Sequence, residues 1–304
     1  MVDLHVHSKY SDGTDDYVDI FKKAESRGIK FLSITDHDNC NFYRKISNIN
    51  ISEYYSGKII NGIELKTVVK GVPIELLGYG INVEYINNKI DEIYTSKREK
   101  DFTIMKRLYK NCLKLGVRVD KNVIENYDDS YKYATTYLHQ NITSYEENRK
   151  FISSDRAWND STSFYRKYMS NPNSQFYISN EDLLPECSKI INLIKEAGGL
   201  VFIPHIYIYG ENSNSILEEL TNNYEIDGIE CYYSHFTNDQ SEYLVNYCKK
   251  RGLHISGGSD YHGLNKNGIE LGSGFGNLNI PDNIVDNWID KVSSDLKNKS
   301  SNYA

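Results

Sequence analysis

Apolar and polar positions alternate at the start of the chain. Val2, Leu4 and Val6 interleave with Asp3, His5 and His7, the period-2 pattern of a strand whose two faces differ. Both histidines then fall on one face at the strand end. A Ser11-Asp12-Gly13 turn follows, and its short carboxylate can reach back over that end. Strand and helix patterns alternate from there. Val18, Phe21 and Ala24 give residues 15–28 one buried helical face, closed by Gly28. Residues 30–35 read as a strand that delivers Asp36-His37-Asp38. Residues 59–65 read as a strand carrying Glu64, and 72–79 as one with Glu75 inside an apolar run. Further on, residues 188–197 and 240–251 read as helices closed by glycine. Residues 200–203, running into Pro204-His205, and 228–232 read as strands. A last strand, 253–256, leads into Gly257-Gly258-Ser259-Asp260-Tyr261-His262-Gly263. This order predicts an α/β fold with a mainly parallel sheet. Polar residues gathered at the C-terminal ends of strands are what a barrel-type active site needs.

Residues 83–185 break the alternation. Met105, Leu108, Cys112 and Leu115 repeat at spacings of three and four, a long amphipathic helix that Gly116 closes. The remainder is polar and rich in Tyr, Asn and Ser, without strand patterns. The expected organisation is a barrel built from residues 1–82 and 186–304, with 83–185 inserted as a helical, substrate-binding lid.

Charge sharpens that division. The chain of 304 residues is acidic, with 35 Lys+Arg against 42 Asp+Glu and a net charge of −7, which argues against long nucleic-acid duplexes held by overall charge. Residues 91–170 are different: 15 basic against 12 acidic residues, net +3. Lys97, Arg98, Arg149 and Arg156 are candidates there for a phosphate-binding wall. The five cysteines are scattered, with no Cys-x-x-Cys, so neither a disulfide framework nor a thiolate zinc site is expected. No apolar run approaches 18 residues and no cleavable leader precedes the first strand, so a cytoplasmic setting without a membrane partner is expected.

Eight candidate ligands remain: His5, His7, Asp12, His37, Glu64, His205, Asp260 and His262, all at or just past expected strand ends. Imidazoles with carboxylates suit Zn²⁺, Mn²⁺ or Fe²⁺. Eight exceed one ion's needs, so a cluster of two or three ions follows if they converge. Such a cluster can hold a bridging hydroxide and clamp the oxygens of a displacement at phosphorus. His254 opens a strand away from this end and reads as structural. His235, just past a strand end, is a candidate substrate contact.

Together, His5-x-His7 with Ser11-Asp12-Gly13, Thr35-Asp36-His37-Asp38, Gly62-Ile63-Glu64, Gly198-Gly199 with Pro204-His205, and the stretch Gly257–Gly263 resemble the PHP (polymerase and histidinol phosphatase) family. The resemblance implies a distorted seven-stranded β/α barrel with a trinuclear metal centre. It implies one ion on His5, His7, Glu64 and Asp260, a second sharing Glu64 with His205 and position 75, and a third on Asp12, His37 and His262. His205, Glu64 and Asp260 become the catalytic residues. Position 75, often histidine in the family, is Glu75 here. The insertion, Ala197-Gly198-Gly199, Asp227-Gly228-Ile229-Glu230 and Tyr232-Tyr233-Ser234 resemble the branch of 3′,5′-bisphosphate nucleotidases and 5′→3′ exoribonucleases. That branch carries a Gly-Arg-x-His motif in the insertion; here only His139 of Ala134–His139 matches, as a candidate substrate contact. The expected enzyme is a metal-dependent hydrolase of phosphate esters of a nucleotide or short oligonucleotide. The alternatives are a histidinol-phosphate or other small-molecule phosphatase, and a C–N amidohydrolase.

Overall fold

The computed structural model describes residues 1–292 except 128, 129, 132 and 290. The chain divides into two compact units, residues 1–93 with 185–304, and residues 94–184.

The first unit is an α/β barrel. Seven strands, β1 (Val2–Val6), β2 (Phe31–Ile34), β3 (Lys58–Val69), β4 (Val72–Tyr79), β5 (Leu200–Ile203), β6 (Gly228–Tyr233) and β7 (His254–Gly258), form one sheet in sequence order. The sheet curls until its edges nearly meet. The His7 N–H donates to the Tyr261 carbonyl and the Asp260 N–H to the His5 carbonyl, both at 2.8 Å. A side chain at Gly258 would place Cβ 2.3 Å from Cβ of His5, so this approach of the two edges requires glycine.

The sheet is less parallel than expected. β3 and β4 pair antiparallel, as do β4 and β5, while the other pairs are parallel. The cause is a two-residue hairpin turn: Lys70 and Gly71 both have positive φ, 50° and 75°, as a type I′ turn requires. The turn also carries β3 four residues past the expected end, to Val69.

Helices connect the strands: α1 (Tyr17–Ser26), α2 (Asn41–Ile46) and α3 (Val83–Ile93) come before the second unit. In α1, Ile20, Phe21 and Ala24 are buried, and Asp16 caps the N-terminus by accepting from the Tyr17 N–H. α3 buries Ile86 and Ile90 and belongs to the barrel unit, so the second unit begins later than the expected residue 83. Inside the barrel, Leu4, Leu77, Phe202 and Tyr79 pack with Trp288. The Tyr79 ring lies 5.0 Å from Phe202 and 5.6 Å from Trp288, and the Trp288 indole donates to the Ile255 carbonyl at 3.1 Å. These rings hold the strands by apolar burial and need no metal to do so.

The second unit is helical: α4 (Lys97–Leu115), α5 (Ala134–Thr143) and the short α6 (Asp155–Asn159) and α7 (Ser161–Phe164). Ser96 caps α4 and Gly116 ends it in the left-handed conformation. Leu108 and Cys112 bury against Leu138, Ile142, Phe164 and Phe176, an independent core. The barrel resumes with α8 (Cys187–Glu196), α9 (Ser213–Asn223) and α10 (Asn238–Arg251), whose N-terminus carries a Thr237–Gln240 capping box. All five cysteines are buried free thiols. No helix among the described residues is long and apolar enough to cross a membrane.

Candidate metal centre

Every residue of β1 is buried. Its polar face therefore looks into the protein, and what it meets is a ring of candidate ligating side chains from every other strand but β6. His5 lies on β1 and His7 just past it, His37 past β2, Glu64 on β3, Glu75 on β4, His205 past β5, and Asp260 and His262 past β7. Glu75 is in the middle of its strand, yet the reversal of β4 puts it beside Lys66, two residues past Glu64.

Glu64 is the centre of the arrangement. His5 Nε2, His7 Nε2 and His37 Nδ1 lie 3.3, 3.1 and 3.3 Å from Glu64 Oε2, and His205 Nε2 lies 2.9 Å from Glu64 Oε1. Asp260 Oδ1 is 3.6 Å from His5 Nε2 and 3.4 Å from His7 Nε2. Asp12 Oδ1 is 3.1 Å from His262 Nε2, and Glu75 Oε1 is 3.6 Å from His37 Nδ1. The floor is dry and the mouth is open: the side chains of His5, His7 and Glu64 are 0–1% exposed, that of Asp12 50%.

These groups fit divalent ions. His5 Nε2, His7 Nε2 and His37 Nδ1 are buried and make no hydrogen bond, a costly state for polar atoms unless a cation takes their lone pairs. Ligand atoms around one ion at ~2.0–2.2 Å sit ~3–3.5 Å apart, close to the separations here. Four sets of ligand atoms lie within mutual reach: His7, Asp12, His37 and His262; His5, His7 and Asp260; His5, Glu64 and His205; and His37, Glu64 and Glu75. His37 thus belongs with Glu64 and Glu75 as well as with Asp12 and His262, the set to which the family resemblance confined it.

Proton affinities follow the same geometry. Burial disfavours charge on His7, but the carboxylates of Asp260 and Glu64 beside it outweigh that and raise the imidazole to about 9. Burial dominates at His37 and brings it down to about 3. Burial, reinforced by the charge of Glu64, lifts Glu75 to about 7. Glu64 resists its own burial because His5 and His37 hold it well below the usual carboxylate range. A cation that binds here must displace whatever protons its ligand atoms carry.

A second tier of side chains fixes the ligands. Glu230 on β6 is fully buried; its Oε1 is 3.0 Å from His5 Nδ1 and its Oε2 accepts from the His205 N–H at 2.8 Å. That bond holds the His5 proton on Nδ1 and leaves the Nε2 lone pair facing Glu64. Asp36 accepts from the Ser8 N–H and from the Ser8 and Ser11 hydroxyls, which fixes the turn bearing Asp12. Asp3 accepts from the N–H and hydroxyl of Ser259 and from the Gly272 N–H. The hydroxyl of Tyr233 donates to Asp260 Oδ2 at 3.0 Å, and Lys266 pairs with the same oxygen. Backbone strain gathers here too: among the described residues, non-glycine positive φ occurs at Asp38, Lys70, His205 and Asp260, and two of those four are candidate ligands. The sequence signal for Glu230 was available, since a carboxylate in the apolar run Ile229-Glu230-Cys231 must find a buried partner.

The expected substrate contacts fare differently. His139 is buried in the second unit, its Nε2 2.8 Å from the Ala157 carbonyl, and its ring lies 5.1 Å from Phe164. Its Nε2 is thus used by the backbone of the second unit. Arg149 pairs with Asp155 and covers the Trp158 ring. Arg156 is exposed on α6, Arg98 covers Phe102, and the side chain of Lys97 lies outside the described residues. His235 is exposed on the barrel unit and stacks on Tyr233.

Comparison with known proteins agrees with this architecture. The family model described as PHP domain matches residues 3–229. A 5′-3′ exoribonuclease of Haemophilus influenzae is 25% identical over 292 residues, 94% of this chain and 97% of that protein. A 3′,5′-nucleoside bisphosphate phosphatase of Chromobacterium violaceum is 21% identical, over 89% of this chain and 90% of its own length. Among solved structures, an amidohydrolase of Chromobacterium violaceum with bound sulfate superimposes with a TM-score of 0.62 at 20% identity, over 89% of both chains. A structure from Bifidobacterium adolescentis, assigned as a metal-dependent phosphoesterase, gives 0.60 at 20% identity over 95% of both. The two structures share the fold.

Proposed function

The chain belongs to the PHP domain family, and from that membership and the ligand cluster we propose a metal-dependent phosphoesterase that uses two or three divalent ions to hydrolyse a phosphate ester of a nucleotide or short oligonucleotide. One observation carries the proposal: three histidine nitrogens without hydrogen bonds converge within 3.3 Å of one oxygen of the buried Glu64. His5, His7, Glu64, His205 and Asp260 would hold ions on the floor; Asp12, His37, Glu75 and His262 would complete the set at the mouth. Bound there, divalent ions stabilise charge developing at phosphorus and lower the pKa of a coordinated water. The chain's own residues do the rest. Glu64 gathers four imidazoles, Glu230 fixes the tautomer of His5, and the buried floor excludes bulk water. The open side at Asp12 is where a phosphate enters, and Lys266 beside Asp260 offers it a cation.

The names of the two relatives, a 5′-3′ exoribonuclease and a 3′,5′-nucleoside bisphosphate phosphatase, support a nucleotide substrate. The amidohydrolase alternative with a lysine carbamate needs a neutral lysine. Lys66, on the same face of β3 as Glu64, is instead kept protonated against its burial by Glu75, Asp38 and Glu64. Incubation with a nucleoside 3′,5′-bisphosphate, a 5′-phosphorylated oligoribonucleotide, histidinol phosphate and a simple amide, each with Mn²⁺, Zn²⁺ or Fe²⁺, tests the proposal. Release of phosphate or mononucleotide from the first two, lost on chelation, is expected. Hydrolysis of the amide alone, or of nothing with any metal, would contradict it.

A further inference from the structure

We propose that Phe275, set edge-on against His235, is an aromatic shelf that stacks the nucleobase of the substrate. The inference rests on the phosphoesterase reading and adds how that enzyme tells a nucleotide from any other phosphate ester.

A ladder of rings leads outward from the candidate metal centre. Tyr233 donates its hydroxyl to the ligand Asp260 at 3.0 Å. His235 stacks on Tyr233, with ring centroids 5.4 Å apart and planes 30° apart. Phe275 stands edge-on to His235, 5.0 Å away at 85°. The inner ring is buried, whereas His235 is exposed and Phe275 is 52% exposed. A single exposed phenylalanine is ordinary. Here its backbone is tied by hydrogen bonds that run back to the site. The Phe275 N–H donates to Asn277 Oδ1 at 3.1 Å, and Asn277 Nδ2 donates to the Ser234 carbonyl at 2.6 Å. The Ser234 hydroxyl in turn donates to the carbonyl of Ser259, the residue before Asp260. The loop that presents Phe275 is thus fixed against the backbone that presents a ligand.

A fixed, exposed aromatic face suits a nucleobase because every base offers a π-surface, whatever its sequence. Stacking in that position would not discriminate among bases, but it would discriminate against an ester with none.

Steady-state kinetics with Mn²⁺ on two substrates test this: a nucleoside 3′,5′-bisphosphate, and the abasic deoxyribose 3′,5′-bisphosphate with the same phosphates. Wild type should show a lower KM for the nucleotide. Phe275→Ala should raise KM for the nucleotide by about tenfold, the scale of one lost base–aromatic stack, leave its kcat within about twofold and leave the abasic substrate unchanged. Phe275→Trp should restore the low KM, and circular dichroism should be unchanged throughout. Equal KM values for both substrates in the wild type, or a Phe275→Ala change that is absent or equal on both, would overturn the shelf while leaving the phosphoesterase reading intact. Turnover by the wild type of neither substrate, nor of a 5′-phosphorylated oligoribonucleotide, would overturn both.

Discussion

Glu64→Ala should abolish phosphoester hydrolysis while leaving the barrel folded. Its two oxygens are approached by His5, His7, His37 and His205 at 2.9–3.3 Å, and it belongs to two of the four ligand sets. A carboxylate shared between ions serves both, so its loss should remove at least one ion per chain. The rate should fall on the order of 10³-fold or more, beyond the 10–100-fold typical of residues that only orient ligands. The fold should survive because Tyr79, Phe202 and Trp288 pack the barrel interior independently of the site. Glu75→Ala is the comparison. Glu75 is 20% exposed and 3.5–3.6 Å from His205 and His37. If it only supports the ligands, its loss should cost about 10–100-fold; as a full ligand it would approach Glu64→Ala. Metal content, circular dichroism and turnover on both variants decide this. A Glu64→Ala protein with a full metal complement and unchanged turnover would remove Glu64 from the centre.

Glu230→Ala should have the second largest effect. Glu230 touches no substrate in this account; it orients His5 through Nδ1 and holds the His205 N–H, and His205 sits at a strained φ of 27°. Removing the carboxylate leaves two buried groups unpaired, each costing about 1–3 kcal/mol, and frees two ligands to rotate. Titration of Mn²⁺ into the metal-free variant should show affinity lower by about 10–100-fold, with thermal stability also reduced. Glu230→Gln keeps an acceptor at that position and should recover part of the affinity. Loss of stability with metal affinity unchanged would make Glu230 a packing residue only.

Much of the fold was legible because it rests on local periodicity. The alternation in residues 2–7 marks a strand whether or not its partners are known, and it puts His5 and His7 side by side. The direction of β4 was not legible. It depends on the positive φ of Lys70 and Gly71, and lysine gives little hint of that conformation. With β4 reversed, a mid-strand Glu75 becomes a residue of the site. α9 gives a weak signal because Ile216, Leu217 and Leu220 are its only large buried apolar residues among Asn, Ser and Glu. α3 has a clear helical pattern, but periodicity cannot say which core its buried face will join. Of the site, the ligands at strand ends were visible as residue types at recurrent places. The partners of Glu230, Asp36 and Asp3 were not, because they lie 225, 28 and 256 residues away in sequence. His139 is the converse case: it matched a motif position, and its ring is occupied by the Ala157 carbonyl.

The central claim is that this cup of histidines and carboxylates holds several ions at once. Elemental analysis of the full chain, purified without chelator and again after reconstitution with Mn²⁺, tests it most directly. The account predicts more than one transition-metal ion per chain; at most one ion, even after reconstitution, would contradict it.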